Sequence, residues 1–164
     1  MFKRFDASTS CSTSTPIKTS AQRAIKAQIL AAHPNIAEAD LEEIIPKKTP
    51  LIQYKAGQHA YLYCTRNPET NSDVPIFFQD RDGPVLPTLK LVHMYPDLGW
   101  TMVKVDKGAI PFIIGGANIM CPGLTNKGGD AGNGLEKGSG VVILAENKEN
   151  AIAVGILKMS SDDM

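Results

Sequence analysis

The sequence predicts an α+β protein in two parts: a small α/β N-terminal domain with an antiparallel sheet, then a mostly β domain. Three observations carry this. Apolar residues recur at helical spacing before residue 46, short runs rich in aromatic and branched residues follow from residue 51, and glycine punctuates the second half.

After the opening "MFKRF", the stretch "DASTSCSTSTPIKTS" is mostly polar and is predicted to be a mobile loop, having little apolar surface to offset the cost of ordering. Ser20 is the predicted N-cap of a first helix. In it Ala21, Ile25, Ile29 and Ala32 share the apolar face, Arg23 and Lys26 take another, and the end falls near His33, ahead of Pro34. Asn35 and Glu38 have capping-box spacing for a second short helix, with Leu41, Ile44 and Ile45 on its apolar side and Pro46 as its stop. Two helices thus precede the first predicted strand. "LIQYKAG", "HAYLYCT" and "VPIFFQD", separated by turn formers such as "RNPETNSD", then read as an antiparallel meander. "GPVLPTLKLVHMYPDLG", with its prolines, reads as a covered crossing between two units, and the domains are taken as 1–92 and 93–164.

The second unit opens with the alternating strand "WTMVKVD". A short helix is predicted to begin at Gly108 or Ala109, so that Pro111 lies in its first turn, where no helical bond to its nitrogen is needed. Ile110, Phe112, Ile113, Ile119 and Met120 are expected in the core. "NIMCPG" reads as a strand closed by a turn, and seven glycines between Gly123 and Gly140 predict a flexible surface loop. "GVVILAENKENAIAVGILKM" reads as a hairpin turning at "NKEN".

Charge and cysteine content narrow the function. Seventeen basic side chains balance seventeen acidic ones, so any polyanion must be met by a local patch. No apolar run approaches the roughly 20 residues that span a bilayer, and no signal-like centre opens the chain, which predicts a cytoplasmic protein without a membrane partner. Cys11, Cys64 and Cys121 lie far apart with no C-x-x-C pair, and the three histidines are as scattered, so reduced thiols, no metal site and no cofactor are expected. No nucleophile elbow, H-E-x-x-H or P-loop is present, and "EADLEE" reads as a solvated helix face.

Between Lys107 and Thr125, in "KGAIPFIIGGANIMCPGLT", glycines flank an apolar run at both ends. Glycine at a helix start bares main-chain amides to which a phosphate can come close, and Gly115 and Gly116 are expected to do the same at the far end. Lys104 and Lys107 are candidate phosphate contacts, with Asp106 a capping residue. The alternative is that these glycines only permit tight helix-to-strand packing.

"KVDKGAI" and "GGANIMCPGLT", with the later "ILAENKENAIAVGILKMS", resemble the PUA domain, an RNA-binding module. In order along the chain, "MFKRF", "IIPKK", "LKLVHMYP" and "GANIMCPGLT" resemble the malignant T-cell amplified sequence 1 family, which includes the fungal translation-machinery-associated proteins. The resemblance implies a small α/β N-terminal domain followed by a PUA pseudo-barrel. It also implies a non-enzymatic translation factor that pairs with density-regulated protein and binds the small ribosomal subunit. There it removes deacylated tRNA in recycling, or supports reinitiation and non-standard initiation. In PUA proteins RNA lies in the groove between this helix and the next strand. The positions implied here are Asp106, Lys107, Gly108 and Ala109, then Gly116, Ala117, Asn118, Pro122, Gly123 and Leu124, with Lys104 and Gly115 beside them.

The sequence departs from the family pattern at Pro111, where relatives carry a basic residue, and in the glycine-rich loop. It ends at Met164, where the family pattern continues into further strands, so an open sheet edge prone to pairing is expected. Lys3, Arg4, Arg23, Lys26, Lys47 and Lys48 form a candidate ribosomal RNA patch, and the strand edge of the 51–80 meander is the candidate protein-partner surface. Two rival readings are an RNA-modification-associated PUA protein and a purely protein-interaction module.

Overall fold

The computed structural model describes residues 11–57 and 59–164. The N-terminal part is a five-stranded antiparallel sheet in the order β1-β2-β3-β4-β5, backed by helices. Its first strand, β1 (Cys11–Pro16), corrects the loop expected there, and a strand thus precedes the two helices. β1 pairs antiparallel with β2 (Ile52–Ala56), from Cys11 opposite Ala56 to Pro16 opposite Ile52. A sheet edge needs partners for its backbone N–H and C=O groups, and an extended Ser/Thr segment supplies them without any apolar content of its own.

α1 (Thr19–Ala32) follows Lys18, whose extended backbone starts the helix without a side-chain cap, so Ser20 is not the N-cap. Its buried residues are Gln22, Ile25 and Ile29, with Gln22 in the place expected for Ala21. α2 (Glu38–Ile44) starts after Ala37, and the capping box expected from Asn35 does not form. β2 continues into β3 (Ala60–Arg66) and β4 (Asp73–Asp80), the predicted meander. Neither edge of that meander is bare: β1 covers β2, and β5 (Leu86–Pro87) pairs with Phe77 and Phe78. The proline-rich crossing then holds a short helix, α3 (Leu89–Met94), whose Thr88 hydroxyl accepts the Leu91 amide at 3.3 Å. The division expected after residue 92 falls inside it.

The second part is a three-stranded sheet, β6 (Met102–Val105), β7 (Gly140–Ala145) and β8 (Ala153–Ile156). β7 and β8 form the predicted hairpin, while β6 runs parallel to β7 with Lys104 opposite Leu144. Parallel neighbours require a long crossover, and everything from Asp106 to Ser139 is that crossover. Its glycine-rich portion is tied to β6 where Lys104 and Asp130 exchange backbone hydrogen bonds at 2.8 and 2.7 Å.

β7 explains why the two parts stay together. Val142 belongs to the first core, with Phe77, Leu91 and Trp100, whereas Val141, Ile143 and Ala145 belong to the second, with Val103, Val105 and Leu124. Alternate side chains of one strand thus fill two cores, which is why it reads as an unbroken apolar run.

The chain passes between the parts at Gly99–Thr101. A Cβ at Gly99, whose φ is +97°, would stand 2.5 Å from the Asn35 carbonyl oxygen, so only glycine fits. His33, fully buried, accepts the Thr101 amide at Nδ1 (3.2 Å) and packs edge-on against Trp100 at 5.2 Å. The Thr101 hydroxyl donates to Ala32 O at 3.1 Å. Nδ1 as an acceptor puts the proton on Nε2, and Nε2 has no partner among the described residues.

Burial pushes the His33 pKa down from 6.5 to about 4. The folded state therefore favours the neutral ring. Its contribution is complete above pH 6.5, fades as pH falls toward 4, and amounts to about 3 kcal/mol. Urea melts between pH 7 and 4 are expected to show this decline, and His33→Gln, which cannot titrate, to flatten it.

Candidate nucleic-acid interface

Asp106 ends β6 and organises the turn beyond it. Its Oδ1 accepts the Ala109 amide at 2.8 Å and its Oδ2 the Asn126 side-chain amide at 3.2 Å. A 3₁₀ turn, Lys107–Ala109, leads into α4 (Ile110–Ile114), with Pro111 in the first turn as predicted. The Lys107 amide donates to Glu146 Oε2 at 3.1 Å. Two amides at this helix start are therefore already capped by the protein's own carboxylates.

At the far end, the amides of Gly115, Gly116 and Ala117 donate to Pro111 O, Ile113 O and Phe112 O at 2.9–3.0 Å. Gly116 takes φ +81°, the left-handed conformation that closes a helix. The expectation that Gly115 and Gly116 bare amides for a phosphate is corrected: those donors are spent on the helix end. Residues 117–120 then run without regular structure into α5 (Cys121–Thr125), a helix with Pro122 in its first turn where a strand was expected. Pro122 has no N–H to give a ladder but costs a first helical turn nothing.

Between α4 and this segment lies a groove of about 530 Å³. Asp106, Gly108, Ala109, Ala117, Asn118 and Gly123, six of the predicted RNA-contact positions, line it. Lys104, Lys107, Gly115, Gly116 and Pro122 stand outside the lining. Leu124 is buried in the second core, where it packs rather than contacts a ligand. A Cβ on Gly123 would lie 3.1 Å from the Ala109 Cβ, so glycine lets the two walls close at the floor.

Sequence reasoning missed the groove's apolar surface. Phe112 and Met120, expected in the core, are 68% and 72% exposed, and both line the groove. Ile110, Ile113 and Ile119 do pack against the second core. Helical geometry held the clue: at 100° per residue Phe112 points away from Ile110 and Ile113, so one short helix cannot bury all three. The result is an open, mostly apolar trough with no basic side chain in its wall, suited to flat apolar faces rather than to phosphates.

The candidate N-terminal patch is partly neutralised. Lys26 Nζ lies 3.0 Å and Lys47 Nζ 3.8 Å from Glu42 Oε2, and the hydrogen bond from Lys26 holds the Glu42 carboxyl below its ordinary pKa. Glu42 is thus half-buried and paired, unlike the fully solvated acidic face expected of α2. Arg23 and Lys48 are exposed, while Lys3 and Arg4 lie outside the described residues. All three cysteines are free thiols, and burial pushes that of Cys64 up to about 12. Among the described residues no group of three or more His, Cys, Asp or Glu is placed to hold a metal ion, and no helix is long and apolar enough to cross a membrane.

Residues 5–96 match the Pre-PUA-like domain family and residues 101–164 the PUA domain family. The chain is 46% identical over 164 residues to translation machinery-associated protein 20 of Schizosaccharomyces pombe, covering all of this chain and 86% of that protein. Against malignant T-cell-amplified sequence 1 of Danio rerio the identity is 43%, with the same coverage. Among solved structures, a hypothetical protein of Pyrococcus horikoshii superposes with TM-score 0.71 at 22% identity, over 92% of this chain and 85% of that one. A PUA domain protein of Aeropyrum pernix gives 0.60 at 20% identity, over 92% and 75%. These two speak for the fold alone.

The contrast between groove and core sets a stability test. Phe112→Ala is expected to change unfolding free energy by no more than about 0.5 kcal/mol, whereas Leu124→Ala should cost about 2–5 kcal/mol, both read from denaturant melts.

Proposed function

Because the chain belongs to the family of translation machinery-associated protein 20 and malignant T-cell-amplified sequence 1, we propose that it is a non-enzymatic, cytoplasmic, RNA-binding translation factor. It acts on the small ribosomal subunit as one half of a heterodimer with a density-regulated-protein-like subunit. Its task is tRNA removal in recycling, reinitiation or non-standard initiation. A PUA domain and a family named for the translation machinery support the coarse reading, a translation-related RNA-binding role.

The single observation that carries RNA binding here is the groove between α4 and residues 117–123, with an exposed aromatic ring on its wall. Its apolar lining and capped amides favour unpaired nucleobases laid against Phe112 and Met120 over a gripped phosphate chain. Asn118 is the groove's side-chain amide, able to donate to and accept from a base edge. The site residues proposed for this contact are Asp106, Gly108, Ala109, Phe112, Ala117, Asn118, Met120 and Gly123. Lys104 and Lys107 remain proposed as outlying phosphate contacts.

Base-to-aromatic stacking contributes about 1–3 kcal/mol per base. Phe112→Ala is therefore expected to weaken binding to a hairpin RNA with a single-stranded 3′ tail by roughly 5- to 150-fold, measured by fluorescence anisotropy. Equal affinity of variant and parent, or a parent that binds no RNA, would remove the groove as the site.

A further inference from the structure

The glycine-rich loop, where the sequence departs from the family pattern, holds "AGNGL" at residues 131–135. Asn133 is the asparagine of this chain that precedes a glycine; the others precede Ile, Pro, Ser, Lys or Ala. Both ends of this loop tip are pinned. The Gly132 amide donates to Asp130 Oδ1 at 2.9 Å, and Asp130 is itself held to β6 through the Lys104 backbone. On the other side the Leu135 amide donates to Ser161 Oγ at 3.0 Å and the Ser161 amide to Leu135 O at 2.8 Å. The Leu135 side chain packs against the second core.

Between the pins the backbone is unengaged. Asn133 and Gly134 are exposed, and neither the Asn133 side chain nor the Gly134 amide has a hydrogen-bond partner among the described residues. Gly134 takes φ +64°, and a Cβ there would meet nothing within 4 Å. No side chain shields its nitrogen, and glycine turns freely through the conformations that closure of a ring needs. The chain's Asp-Gly pair is the contrast. At Asp82–Gly83 the Gly83 amide donates to Asp80 O at 3.0 Å, so its proton and its orientation are both held.

We propose that Asn133 is a site of self-modification, independent of the RNA reading of the groove. The Gly134 nitrogen loses its proton to hydroxide and bonds to Asn133 Cγ. The Cγ–Nδ2 bond breaks, Nδ2 takes a proton from water and leaves as ammonia, and a cyclic imide remains. Water then opens the imide: at Cγ it yields aspartate, and at the main-chain carbonyl it yields isoaspartate, whose backbone runs through the side chain. No electrons are gained or lost. Nucleophile and carbonyl sit on neighbouring residues, so their encounter is intramolecular.

The isoaspartyl product inserts a carbon and a carboxylate between two pins. Slack is scarce there: a Cβ on Gly132, whose φ is +72°, would stand 2.8 Å from Leu135 Cδ1. The added length falls on the Leu135–Ser161 pair and loosens the 3₁₀ turn Ser161–Asp163 that follows it. The loop is a one-way timer whose product is a substrate for carboxyl methyltransferases that recognise isoaspartate.

The test holds the full chain in mildly alkaline buffer at physiological temperature and samples it over days by peptide mapping with electron-transfer fragmentation. The peptide carrying Asn133 should gain the mass of an amide-to-acid exchange and split into aspartyl and isoaspartyl forms, with the other asparagines and Asp82 unchanged. Asn133→Gln and Gly134→Ala should each lose the conversion. A urea-unfolded sample is the reference, in which Asn133 and Asp82 both react. Asn133 intact in the folded chain while it converts in urea overturns the site, and so does conversion spread evenly over the other asparagines. Amide hydrogen exchange reads the consequence: Leu135 and Ser161 should exchange faster in the isoaspartyl form. Asn133→Asp, which adds the charge without the carbon, should keep the parent's protection. Equal protection in the isoaspartyl form and the parent overturns the loosened pin and leaves the modification site standing.

Discussion

One strand with no face to spare sets the architecture. β7 places Val142 in the core of the N-terminal part and Val141, Ile143 and Ala145 in the core of the C-terminal part, so neither core is complete without it. The fixed alternation of side chains along a strand turns this into a rigid relation between the parts. The passage at Gly99–Thr101 adds hydrogen bonds to the same seam, through His33 and Ala32 on one side and Thr101 on the other. His93 reaches across as well, with Nε2 2.8 Å from Ala151 O. The groove is thus carried on the same body as the N-terminal sheet and its helices rather than on a domain joined by a loose tether.

Within that body the groove owes its chemistry to what its backbone has already spent. A short helix begins with bare N–H groups, and in isolation that end attracts anions. Here Asp106 and Glu146 occupy two of those donors, and the opposite end is closed by Gly116 in a left-handed turn. What remains exposed is the apolar side of α4 and the chain after it. Charge is kept elsewhere, on α1 and on the loop of residues 46–50, whose Pro46 and Thr49 carbonyls accept the Gln22 side-chain amide.

Much of this was legible in the residues. The meander, the terminal hairpin and the first helix follow from spacing, because burial on one or both faces writes a period into the sequence, whereas the place of the groove came from its flanking glycines and from the resemblance to the PUA domain. Three features were not. β1 is a strand only because β2 offers it an edge, and no local preference in "CSTSTP" foretells that partner. The helix Cys121–Thr125 is too short for any periodicity, and Pro122 is as compatible with a turn as with a first helical position. Phe112 and Met120 looked like core because their type belongs there; that they face outward depends on which side of α4 the sheet covers.

The parallel pairing of β6 with β7 carries a consequence for biosynthesis. Asp106 to Ser139, the whole of the groove included, is an excursion between two strands that meet only when the later one has been made. Closing so long a loop is entropically slow, and until it closes nothing holds α4 against residues 117–123. A nascent chain that has not yet emerged as far as Ala145 therefore displays Phe112 and Met120 on an unshaped segment. The groove takes its shape late in translation, together with Val142, which the first core also requires.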